Sequence, residues 1–104
     1  MSILARPQRY AFKSQLRIQV GSMTFEAPVT NISANGLYIE TENPFLAGAT
    51  FAANLMLDPP LQMFCTVSRV DVMRGMAVRI AFGVREDDKR FTRLVGKVSE
   101  TSGK

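Results

Sequence analysis

The sequence predicts a mainly β fold, a six-stranded antiparallel β-barrel with one C-terminal α-helix. Apolar and polar residues alternate at period two in six short segments between Ser14 and Phe82. Glycine, proline and asparagine mark tight breaks between those segments. The apolar spacing then switches to that of a helix, starting near Glu86. Short strands joined by tight turns in one 104-residue domain are the pattern of a small barrel.

Leu16, Ile18 and Val20 alternate with Arg17 and Gln19, which describes a half-buried first strand. Gly21-Ser22 reads as a two-residue hairpin turn, with glycine supplying the positive φ. Met23, Phe25, Ala27 and Val29 form the predicted inward face of the second strand. Pro28 lies on the opposite face and lacks a ladder donor, which predicts an edge or a bulge there. A polar corner over residues 31–36 leads to a third strand, where Leu37 and Ile39 alternate with Tyr38 and Glu40.

Asn43-Pro44 and Gly48 break the next connection. Phe51, Ala53, Leu55 and Leu57 carry a fourth strand, stopped by Asp58-Pro59-Pro60. Leu61, Met63, Cys65 and Val67 fall on odd positions of the fifth, whereas Val70 and Val72 fall on even ones. That change of phase predicts a β-bulge near Ser68-Arg69. Arg74-Gly75 reads as the last hairpin turn, before Met76, Val78, Ile80 and Phe82 point inward on the sixth strand. Phe91, Leu94, Val95 and Val98 fall at helical spacing behind the acidic turn Glu86-Asp87-Asp88, and Lys97 lies toward the C-terminal end. The predicted division is a flexible basic arm over 1–13, a barrel with its helix over 14–98, and a frayed tail over 99–104.

Composition narrows the function. With no histidine, Ser-His catalysis and the common zinc sites are excluded. The lone Cys65 alternates with Met63 and Val67 and reads as a buried structural thiol. Glu40 and Glu42 share a strand face without the spacing of a metal loop. No catalytic constellation appears, so the chain reads as a non-enzyme. The longest mainly apolar stretch, Leu46 to Leu57, is too short to span a bilayer, and no charged-then-apolar leader opens the sequence. The expectation is a soluble cytoplasmic protein with no membrane insertion. A net charge of +4 favours anionic partners. Taken singly, the arginines at 17, 79, 85, 90 and 93 read as solvated surface.

The stretch Asn31-Ile32-Ser33-Ala34-Asn35-Gly36 stands apart from this background, with Arg6 and Arg9 upstream on the arm. Short polar residues and a glycine between two strands make a backbone-rich corner. Two guanidiniums folding over it would clamp a phosphate-bearing ligand.

An N-terminal arginine motif, about twenty residues of hairpin, Asn31-x-Ser33-x-x-Gly36, further strands and a closing helix together resemble the PilZ domain family. Val78-Arg79-Ile80-Ala81-Phe82 is similar to that family's late strand. The resemblance covers about Arg6 to Val98. It implies a bacterial six-stranded barrel that binds cyclic di-GMP through Arg6, Arg9, Asn31, Ser33 and Gly36, with no further cofactor and no metal. It also implies a receptor that orders its arginine arm on binding and signals to a downstream protein partner. The family's arginine motif is Arg-x-x-x-Arg. With Arg9 as its last residue, Ala5 stands at the first position and Arg6 beside it; with Arg9 as its first, Lys13 stands at the end. The alternative implied by this departure is a degenerate PilZ-like module that meets a protein partner without binding cyclic di-GMP. Single-stranded nucleic acid fits poorly, because Tyr38 is the only clear outward aromatic residue available for base stacking.

Overall fold

A computed structural model describes residues 8–102. Six strands, β1 (Tyr10–Val20), β2 (Met23–Ser33), β3 (Gly36–Glu40), β4 (Thr50–Leu55), β5 (Leu61–Asp71) and β6 (Gly75–Ala81), precede one helix, α1 (Arg85–Ser102). The strands close a barrel in the order β1-β2-β3-β6-β5-β4, and every pair is antiparallel. Thus β1-β2-β3 and β4-β5-β6 are two meanders, joined on one side by β3–β6 and on the other by β1–β4.

Period-two patterning fills the interior. Leu16, Ile18, Ile32, Ile39, Leu55, Leu61 and Met63 are fully buried, and Phe91 of α1 closes the core. Burying each such side chain contributes about 1.5–3 kcal/mol. Phe91 meets Phe82 with ring centroids 5.5 Å apart, while Leu94, Val95 and Val98 pack on the same core. Arg90 ties the helix to the β4–β5 loop, its Nη2 donating to the carbonyl oxygen of Pro59 at 2.6 Å. Among the described residues no helix is long and apolar enough to cross a membrane.

The predicted bulge is present, with the β5–β6 register shifting between Val67 and Arg69. Gly21 takes a φ of 59° in the β1–β2 turn. Pro28 pairs with Gln15 of β1, but β3 joins β2 only from Val29, so Pro28 lies where β2 has one neighbouring strand.

Several expectations need correction. Residues 10–13, assigned to the flexible arm, belong to β1, because the long β2 gives Tyr10 and Ala11 partners in Ile32 and Asn31. Tyr10 and Phe12 also pack against the core. Met23 and Phe25 have the inward parity but are 67% and 37% exposed, since they lie near the β1–β2 turn at the end of the strand. Phe25 instead meets Phe45 edge-on. The last hairpin turns over Val72-Met73-Arg74, with Met73 at a φ of 65°, and Gly75 already belongs to β6. The helix runs to Ser102, and in its last turns the Ser99 and Thr101 hydroxyls donate to the carbonyls of Gly96 and Lys97.

Candidate functional site

The polar corner is two strand ends and a turn. Asn31, Ile32 and Ser33 finish β2, Ala34-Asn35 turn, and Gly36 opens β3. Alternation buries Ile32 and Leu37 in the barrel and sets Asn31, Ser33 and Gly36 on its outer side. Ser33 is nevertheless buried, its hydroxyl donating to the Gly36 carbonyl over a long 3.5 Å.

Gly36 does not have a positive φ; among the described residues only Gly21, Gly48 and Met73 do. Its lack of a side chain answers to β6, because a Cβ there would stand 2.5 Å from the backbone oxygen of Val78. One turn residue earlier, the carbonyl of Asn35 accepts the backbone N–H of Ile80 at 3.1 Å. The corner is therefore fastened to β6 through both neighbours of Arg79.

Arg9, just ahead of β1, is exposed, and its Nη1 donates to Asn31 Oδ1 at 3.4 Å. Arg6 lies outside the described residues. Lys13 sits in β1 and lines a shallow cleft of about 440 Å³ with Ser14, Gln15, Pro28, Thr30 and Glu40, beginning one residue from Asn31. The structure thus brings Arg9 onto Asn31 and sets Ser33 and Gly36 two strand positions away, with Lys13 along the neighbouring cleft.

Tyr38 is the cross-strand partner of Asn31. Its hydroxyl donates to Asp71 Oδ2 at 2.8 Å, and Arg69 Nη2 lies 3.5 Å from the same oxygen. A Cβ at Gly75 would run first into the backbone oxygen of Ile39 and then into this ring, at 2.9 Å. Desolvation, and then the hydrogen bond to Asp71, push the Tyr38 phenol above its ordinary pKa. The same hydrogen bond, chiefly, holds the Asp71 carboxyl below the usual range.

Arg79, which the sequence alone reads as solvated surface, has Gly36 as its ladder partner in β3. It is exposed between the buried Val78 and the half-buried Ile80. The alternation marked it as outward, but the pairing of β3 with β6 is a register that no local pattern encodes.

Among the described residues no cluster of three or more metal-ligating side chains occurs. Burial pushes the Cys65 thiol up to about 12, so at neutral pH it is protonated and a poor nucleophile.

No curated protein sequence matched this chain. Its fold is shared with MotI/DgrA, the inhibitor of motility of Bacillus subtilis, at a TM-score of 0.80 and 16% identity, covering 95% of this chain and 53% of that one. It is shared with MrkH of K. pneumonia, solved as a c-di-GMP complex, at a TM-score of 0.81 and 15% identity, covering 98% and 55%. The PilZ domain of CeSA from a cellulose-synthesizing bacterium aligns at a TM-score of 0.68 and 15% identity, covering 88% and 98%. The chain spans about half the length of the first two. Over residues 4–99 the sequence matches the PilZ domain family, a span holding the corner, the whole barrel and nearly all of the helix, and the chain belongs to that family.

Proposed function

We propose that this domain is a cytoplasmic receptor for cyclic di-GMP, working by binding and not by catalysis, whose arginine arm orders over the ligand and passes the signal to a partner protein. The observation that carries this reading is the contact of Arg9 with Asn31. It joins two parts of the sequence 22 residues apart on the outer face of a PilZ barrel. The c-di-GMP complex of MrkH, which has the same fold, supports the choice of ligand.

Cyclic di-GMP presents two phosphates and two guanines. A guanidinium fork matches either a phosphate or the O6/N7 edge of a guanine. Arg9 is exposed and gives up only one long hydrogen bond when it turns to a ligand. Asn31 then offers its amide, Ser33 its hydroxyl, and Gly36 a stretch of backbone without a side chain in the way. Arg6 would add a second guanidinium from the arm.

The second reading, an interaction module without the nucleotide, is favoured by Ala5 at the position where the family motif has its first arginine. Isothermal titration with cyclic di-GMP separates the two. Binding is expected at micromolar or tighter affinity. A charge-assisted bond is worth about 1.5–3 kcal/mol, so Arg9→Ala is expected to weaken binding about ten- to a hundredfold. Arg9→Lys recovers part of that, keeping the charge without the planar fork, and Lys13→Ala matters less. No heat at high ligand concentration would leave the interaction module as the reading.

A further inference from the structure

The outer face beside the corner carries a cation that the arginine arm does not supply. Arg79 is the ladder partner of Gly36 on one side and of Thr66 on the other. It is exposed, and among the described residues its side chain makes no hydrogen bond or salt bridge. Arg17, by contrast, is held by Glu26 at 2.9 Å, and Arg69 lies against Asp71.

Its backbone, unlike its head group, is closely fixed. Val78 is the residue whose carbonyl excludes a side chain at Gly36, and Ile80 donates to the Asn35 carbonyl. The two residues flanking Arg79 are thus those that dock the corner onto β6. Ser33, the partner of Gly36 on β2, lies one strand further from the Arg79 backbone than Gly36, which is one strand spacing, about 5 Å, away. An unpaired guanidinium on a long stem covers that distance.

Resting on the cyclic di-GMP reading, we infer that Arg79 is a third cationic ligand contact, meeting the phosphate or guanine edge of the bound nucleotide that lies away from Arg9. The chemistry is that of a ligand with two anionic centres. Arg9 approaches from the β1 side of the corner and Arg79 from the β6 side, so the pair would hold the two ends of one molecule. The barrel fixes Arg79 in place, whereas Arg9 lies outside any strand. The backbone of Arg79 is accordingly in position before a ligand arrives.

The test is titration of cyclic di-GMP into wild type, Arg79→Ala, Arg79→Lys and, as a control for loss of one positive charge, Arg93→Ala on the exposed face of α1. Arg79→Ala is expected to bind about ten- to a hundredfold more weakly, with an unchanged melting temperature. Arg79→Lys should fall between it and wild type, and Arg93→Ala should stay within about twofold of wild type. If wild type binds and Arg79→Ala binds as Arg93→Ala does, the contact is refuted while the receptor reading stands. If wild type does not bind, the receptor reading fails and this inference fails with it.

Discussion

Replacing Gly36 by alanine separates two roles for this residue, local backbone freedom and close approach to a neighbouring strand. Its φ is not positive, so alanine meets no conformational barrier of its own. The new Cβ would instead stand 2.5 Å from the Val78 oxygen, about 1 Å inside ordinary contact. That oxygen is backbone, in a ladder that pairs Gly36 with Arg79 and Leu37 with Val78. It moves only if β6 or the corner shifts. Overpacking of this kind costs about 1–3 kcal/mol. For a domain of this size each kcal/mol lowers the melting temperature by about 4–8 °C. Thermal and urea unfolding of Gly36→Ala should therefore show a loss of about 4–24 °C with an unchanged urea slope. Gly96→Ala is the control of opposite sign. It lies in α1 with nothing within 4 Å, and alanine there should stabilise by about 0.5–1 kcal/mol. A Gly36→Ala protein as stable as wild type would refute the steric argument.

Three further outcomes are expected. Ser33→Ala should change the melting temperature little, since its one intramolecular hydrogen bond is 3.5 Å long, yet weaken cyclic di-GMP up to about tenfold; normal binding with a lower melting temperature would make the corner purely structural. In a Tyr10→Phe background, phenolate absorbance should place the Tyr38 titration above the ordinary tyrosine range. Because the folded value exceeds the unfolded one, that contribution to stability is complete below about pH 10 and is lost as pH rises through the folded value. Asp71 acts in the opposite sense, its contribution present above about pH 4 and lost as pH falls through its lowered folded value. Tyr38→Phe should therefore flatten both ends of the stability profile. Finally, Cys65 should resist alkylation at neutral pH until the barrel unfolds in urea, as fast labelling of the native protein would contradict its burial.

The fold was legible wherever parity alone decided it. Leu16 and Ile18, Leu37 and Ile39, and Leu61 to Val67 alternate as expected, and the phase change after Val67 marks the bulge. Parity says nothing of height along the barrel, which is why Met23 was read as inward and lies exposed. Tyr10 and Phe12 continue the even-numbered apolar positions of β1, but Ser14 interrupts that apolar parity and hides the start of the strand. Gly75 sits beside a turn, but its missing side chain answers to the Ile39 backbone oxygen and the Tyr38 ring across the β3–β6 ladder. In the site, Asn31, Ser33 and Gly36 were visible because they are contiguous. The nearness of Arg79 to Gly36 was not, because it depends on two strands that are far apart in sequence.

The two-meander construction has a consequence for how the barrel opens and closes. Within β1-β2-β3 and β4-β5-β6 the pairings are between sequence neighbours and carry the smaller loop-closure entropy. The β3–β6 and β1–β4 seams join distant segments and carry the larger loop-closure entropy. The corner belongs to the first meander and Arg79 to the second, so a site that includes Arg79 would span both halves of the molecule. A nucleotide held between them staples one seam and leaves the other alone. At a hundredfold excess over Kd it would add about 2.7 kcal/mol against any opening that parts β3 from β6. Amide hydrogen exchange should then slow most at that seam, and the β1–β4 side should become the preferred place for the barrel to breathe.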